Sequence, residues 1–292
     1  MPSVEAKARI SVKNILFPTD FSERSAAALP YAAAVARHYD AKIYLAHVVV
    51  SEETVGLPAG IPPASNWTKA QQEMAILDRC DLLNGLQYQA LVEEGELWDV
   101  LSKMREEHEV DFIVLGTSGG AGFKKLIAGS VAEEIMREVS CPVLAVGPQV
   151  PSRAQFKGDM RSILYAADFQ PWSDLALTYA VSFAEENHAQ LTMVHALDPG
   201  KAPPLDSDVE RVVRALEQMV PRDAKLAPPP EVVVEVGAPV GIILKAAAER
   251  GCDLIVTGAR DTCYERSPAP FAWVLLHQIL CAARCPLLTV HG

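Results

Sequence analysis

Residues 110–135 read VDFIVLGTSGGAGFKKLIAGSVAEEI. The apolar run VDFIVLG (110–116) has the length and composition of a buried parallel strand emptying into a loop. Gly116 and Gly119 remove the Cβ where a backbone must turn sharply or touch a ligand. Gly129-Ser130 then opens the helix SVAEEIMREVS, whose first turn carries unpaired N–H groups and partial positive charge. Bare backbone at both ends of a loop, followed by a helix N-terminus, suits a phosphate chain. No Gly-Lys-Ser/Thr closes the loop, so it is not a P-loop, and it is not the dinucleotide pattern GxGxxG. The competing reading is a capped turn that binds nothing, with Ser130 and Glu133 as a capping box.

The spacing Gly116-x2-Gly119-x9-Gly129-Ser130 after a hydrophobic strand resembles the ATP-binding signature of the universal stress proteins. NILFPTDFSERS (14–25) is similar to that family's opening strand and turn, AHVV (46–49) to its second strand and CPVLAV (141–146) to its last. These markers fall in the family's order across residues 13–148. The resemblance implies that Asp20 bonds a ribose, that Pro18 and Thr19 line the adenine side, and that the Val48 main chain recognises the base. It also implies that Gly116, Thr117, Ser118, Gly119, Gly122 and Gly129, with the N–H groups of Ser130 and Val131, surround the phosphates. Mg²⁺ or Mn²⁺ would then ride on the ATP phosphates without protein ligands. Lys124 and Lys125 lie in the same loop, where lysines commonly serve only to solvate it. The competing reading of Asp20 is an Asx cap for the turn into a helix beginning near Ser22.

The chain is also a repeat. Sliding it by 148 residues lays NILFPTDFSERSAAALPYA (14–32) over SILYAADFQPWSDLALTYA (162–180), matching Asp20 to Asp168, Phe21 to Phe169 and His47 to His195. VDFIVLG matches CDLIVTG (252–258), and CPVLAV matches CPLLTV (285–290), at slightly different offsets. A duplication of this length is two copies of one domain, expected at 1–150 and 151–292. The seam falls in the polar segment GPQVPSRAQFKGD (147–159). In the first copy, strands at about 13–19, 42–49, 87–93, 110–115 and 143–146 separate helices at about 22–38, 67–84, 97–108 and 130–139. That alternation predicts two tandem α/β domains with doubly wound parallel sheets. The architecture is Rossmann-like and, by the resemblance, of the adenine nucleotide alpha hydrolase type. Ligands in such sheets sit beyond the carboxyl ends of the strands where the order reverses, which gathers Asp20, the residues after His47 and the Gly116 loop. Pro30 falls inside the first helix and predicts a kink.

The second copy departs at the decisive places. Asp261 replaces the second glycine, and Phe271-Ala272 or Trp273-Val274 stand where Gly-Ser opened the helix. Side chains and like charge would exclude a phosphate chain, so one ATP per chain is expected, in the first domain. VLAV (143–146) and LLTV (287–290) lie at sheet edges in the family's strand order. They are expected to pair the two domains as an internal pseudo-dimer, with a further homodimer open to the chain.

The chain has 292 residues, half of them apolar, which is ample for two packed cores. Its formal net charge of −11 argues against a nucleic-acid partner. The first dozen residues lack a signal peptide's apolar core, and no apolar run approaches a membrane span, so a cytoplasmic protein is expected. His277 and Cys281 are one helical turn apart with Cys263 and Cys285 near in sequence, but no CxxC pair accompanies them and no metal site is expected. His47 and His195 fit hydrogen-bonded interior histidines. Without a Ser–His–acid set, paired carboxylates or a Walker lysine, the leading reading is an ATP-binding stress-response or signalling module. The alternatives are a slow ATPase or nucleotidyl transferase of the same fold, and a nucleotide-free interaction module.

Overall fold

The computed structural model describes residues 10–50, 66–117, 131–151, 156, 158–198, 205–259 and 270–292. Val12–Ile135 with Cys141–Gly158 form one compact unit, and Asp159–Gly292 form the body of another. The first runs β1 (Asn14–Pro18), α1 (Glu23–Tyr39), β2 (Lys42–Val49), α2 (Asn66–Leu77), β3 (Tyr88–Glu94), α3 (Leu97–Glu107), β4 (Phe112–Gly116), α4 (Val131–Glu138) and β5 (Val143–Val146). The second repeats the plan with β6 (Ser162–Ala166), α5 (Asp174–Asn187), β7 (Gln190–Leu197), α6 (Asp206–Met219) and β8 (Glu231–Val236). It closes with α7 (Pro239–Glu249), β9 (Leu254–Ala259), α8 (Pro270–Ala282) and β10 (Leu287–His291).

Strand order is β3-β2-β1-β4-β5 in the first unit and β8-β7-β6-β9-β10 in the second. Every pairing inside each unit is parallel. Both are therefore doubly wound: the chain moves outward from β1 to β3, then returns to β1's other side for β4. Ile15, Leu16, Phe17, Ile43, Leu45, Phe112 and Ile113 are almost fully buried, so the central strands are covered on both faces. Each such side chain stabilises the fold by about 1.5–3 kcal/mol relative to exposure.

The aspartate inside each strand signature has a role that the apolar pattern did not suggest. Asp111 accepts from the main-chain N–H groups of Lys13 (2.9 Å) and Asn14 (3.0 Å), just before and at the start of β1. Asp253 accepts from those of Arg161 (2.8 Å) and Ser162 (3.3 Å) at the start of β6. Each carboxylate joins the amino ends of two adjacent parallel strands and satisfies N–H groups that precede the ladder.

One local expectation needs correction. The helix expected over 67–84 ends at Leu77, and a 3-10 turn, Asp81–Leu83, follows. Leaving the helix lets Leu83 drop into the core, where it is 2% exposed. α1 continues through Pro30 to Tyr39, although proline supplies no N–H to the Ala26 carbonyl. The helix holds because Pro30 lies in a buried run from Ala28 to Ala36, so packing outweighs the lost bond. No helix among the described residues is long and apolar enough to cross a membrane.

Candidate functional site

β1, β2 and β4 all end at one rim of the first sheet, where the strand order reverses. The turn after β1 is built by side chains of its own sequence. The Thr19 N–H donates to the Ala46 carbonyl at 2.8 Å, continuing the ladder one residue past β1. Asp20 Oδ1 accepts from the Ser22 N–H at 3.0 Å, closing an Asx turn. Phe21 sits in the left-handed region at φ 59°, and Ser22 Oγ caps α1 by accepting from the Ser25 N–H at 3.2 Å. His47, from β2, donates through Nδ1 to the Thr19 carbonyl at 2.7 Å, and the Phe21 ring lies 4.4 Å from its imidazole. A carbonyl only accepts, so the proton of the neutral ring is on Nδ1. This is the interior, hydrogen-bonded role the sequence suggested for His47.

The same turn recurs after β6. Asp168 Oδ1 accepts from the Gln170 N–H at 3.0 Å, and Phe169 has φ 58°. His195 Nδ1 donates to the Ala167 carbonyl at 2.8 Å, with the Phe169 ring 4.7 Å away. The turn is a property of the fold in both units. Its aspartate carries the structural duty that the family-free reading gave it, in addition to any ligand.

Gly116 has a different purpose from the one its place in the glycine pattern suggests. A Cβ there would lie 2.2 Å from the Arg24 carbonyl oxygen and 2.9 Å from Ser25 Cα. The missing side chain makes room for the first turn of α1, and the Gly116 main chain is what remains to face a ligand. Gly258 is constrained in the same way by Ser173, whose Oγ would be 2.2 Å from its Cβ. Thr117 is 5% exposed, and both its N–H (2.9 Å) and its hydroxyl (3.3 Å) donate to the Val146 carbonyl. Thr117 therefore ties β4 to β5.

Pro18, Thr19, Asp20, Gly116 and the Val48 main chain, at the end of β2, come together at this rim. Val48 itself is buried, and Asp20 is exposed. Asp20 Oδ2 takes no hydrogen bond among the described residues, which leaves a charged acceptor facing solvent beside the rim. Ser118, Gly119, Gly122, Gly129, Ser130, Lys124 and Lys125 lie outside the described residues, as does Asp261. Val131 is the first residue of α4, whose N-terminus follows that loop.

A model of the universal stress protein family matches residues 11–147 and again residues 160–291. The chain belongs to the universal stress protein family. A universal stress protein of Methanocaldococcus jannaschii is 30% identical over 148 residues, covering 46% of this chain and 81% of the relative. A second from that organism is 24% identical over 155 residues, covering 47% of this chain and 96% of the relative. The crystal structure of a universal stress protein from Archaeoglobus fulgidus aligns over 95% of this chain and 97% of its own. Its TM-score is 0.65 and its identity 21%, so it supports the fold alone. The two matches make this a tandem of two universal stress domains.

Sequence reading missed Ser25, which is 4% exposed and packed against Gly116. Its hydroxyl donates to Thr19 Oγ1 at 2.8 Å, and the Phe21 N–H donates to the same oxygen at 3.0 Å. No periodicity reports such a contact; only the close approach of α1 to the end of β4 creates it. His277 Nε2 and Cys281 Sγ meet at 3.6 Å on α8, but no group of three potential metal ligands occurs among the described residues. Burial pushes the Cys141 thiol up to about 11 and raises that of Cys252, which disfavours the thiolate at both.

Proposed function

We propose that this universal stress protein binds one ATP per chain at the carboxyl rim of its first sheet, and that occupancy serves a stress-response or signalling role. The observation that carries the reading is Asp20. It is an exposed carboxylate with one oxygen open, at the point where strand order reverses, beside the end of the strand that feeds a glycine-rich loop. Its donor set fits a nucleoside triphosphate: a carboxylate for ribose hydroxyls, main chain for the base and a helix N-terminus for phosphate. The reading assigns 1–150 to the nucleotide-binding domain and 151–292 to a domain whose loop has lost the pattern. Mg²⁺ or Mn²⁺ would arrive on the phosphates.

Native mass spectrometry of the freshly purified chain, with calorimetric titration of ATP, tests this directly. The expected result is a stoichiometry of one, with no second site of similar affinity. Two equivalent sites would defeat the assignment to the first domain, and no binding would favour a pure interaction protein. Sustained phosphate release with magnesium would support the slow ATPase instead. With its Nδ1 proton on a carbonyl, His47 has only Nε2 to offer as a base.

The second domain has a use without nucleotide if β5 and β10 pair the two domains as an internal pseudo-dimer. β5 is the last strand in its unit's order and β10 the last in its own; both are buried, β5 is wholly apolar and β10 is apolar but for Thr289 and His291. Residues 1–150 expressed alone should then homodimerise or aggregate, as sedimentation would report. A half that stays monomeric at high concentration would count against the pairing.

A further inference from the structure

The two Asx turns differ in how much of the aspartate they consume. In the second domain Asp168 Oδ1 accepts twice, from the Gln170 N–H at 3.0 Å and from the Ser173 hydroxyl at 2.5 Å. One oxygen has two lone pairs, so that oxygen is filled and the carboxylate is pinned toward the helix. In the first domain Asp20 Oδ1 accepts only from the Ser22 N–H. Ser25, 148 positions before Ser173, turns its hydroxyl to Thr19 instead.

The serines occupy the same place. The Cα of Ser25 lies 2.9 Å from the Cβ that Gly116 would carry, and that of Ser173 lies 2.8 Å from the Cβ that Gly258 would carry. Phe21 and Phe169 share their left-handed backbone, at φ 59° and 58°. The helix starts differ, since a 3-10 turn Pro171–Ser173 precedes α5, yet the serine is held against the glycine in both. What separates the two turns is the acceptor offered to that hydroxyl. Position 19 is threonine, whose Oγ1 accepts it, and the matching position 167 is alanine, which has no acceptor. A buried hydroxyl must find a partner, and in the second domain the nearest one is the aspartate.

We propose that Thr19 is a positioning residue: it takes up the Ser25 hydroxyl and so keeps the Asp20 carboxylate available to the ribose hydroxyls of a nucleotide. This rests on the nucleotide reading above: both aspartates keep Oδ2 without a partner among the described residues, and only Asp20 keeps one lone pair of Oδ1 as well, which suits a ribose that offers two hydroxyls. It also separates two aspartates that the sequence alone makes equivalent.

The test compares the full-length wild type, Thr19→Ala and Thr19→Ala/Ser25→Ala. Crystal structures without nucleotide should place Ser25 Oγ on Asp20 Oδ1 in Thr19→Ala. Titration with ATP should show that variant binding about tenfold more weakly, the scale of one hydrogen bond to a charged group. The double variant has no hydroxyl to divert and should bind ATP at least about threefold more tightly than Thr19→Ala. A merely structural role for Thr19, or a direct contact with the base, would leave the double variant as weak as the single one, and that result overturns the proposal. So does a Ser25 hydroxyl that stays off Asp20, or a diverted one with affinity unchanged. A wild type that binds no ATP strikes the nucleotide reading, and the crystal structures then show whether the hydroxyl exchange itself is sound.

Discussion

Gly116→Ala should lower the stability of the first domain by about 3 kcal/mol, the upper end for overpacking a close-packed site. The added methyl would stand 2.2 Å from the Arg24 carbonyl oxygen and within 3 Å of Ser25 Cα, both main-chain atoms that cannot rotate away. Relief requires α1 to move off the end of β4, which also displaces the Ser22 cap and the turn that carries Asp20. For a domain of this size the loss corresponds to a melting transition lower by on the order of 10 °C. Gly241 supplies a control of opposite sign. It lies inside α7 with nothing within 4 Å of its virtual Cβ, so Gly241→Ala should stabilise by about 0.5–1 kcal/mol. Calorimetric melting of both variants checks the pair. A Gly116→Ala protein that melts with wild type would mean that the contact between α1 and β4 is looser than described.

Asp20→Ala should weaken ATP binding by roughly 1.5–3 kcal/mol, about ten- to 150-fold, by removing charged hydrogen bonds to ribose. Asp168→Ala should leave ATP affinity unchanged while costing its own domain about 1 kcal/mol, because the Ser173 hydroxyl loses its acceptor. The contrast matters more than either value, since both substitutions remove the same Asx turn. Equal effects on affinity would reduce Asp20 to a turn cap. Equal losses of stability with no change in affinity would do the same.

The fold was legible because its signals are local. Apolar runs such as NILFP and FIVLG, separated by helical stretches, are enough to imply a parallel sheet, and the 148-residue offset reveals two of them. The site was legible only in outline. Asp20 and Val48 stand at strand ends, and alternation places strand ends on one rim. Gly116 shows the limit: from sequence, a glycine spared for a ligand and one spared for a neighbouring helix look the same. The distinction lies in a distance to Arg24, ninety-two positions away. Asp111 was hidden likewise, since a carboxylate in an apolar run gives no hint that two N–H groups ninety-seven and ninety-eight positions away will bind it. The helix boundary after Leu77 was missed because Leu83 continues an apolar pattern that the chain uses to fill the core from a turn.

The histidine latches bear on what holds each turn in place. His47 and His195 each reach from the second strand of their unit, through Nδ1–H, to the carbonyl of the residue that follows the first strand. Each latch spans twenty-eight positions of sequence. The turn that presents the aspartate is thereby fastened to the neighbouring strand as well as to its own helix, so the two strand ends and the carboxylate move as one piece.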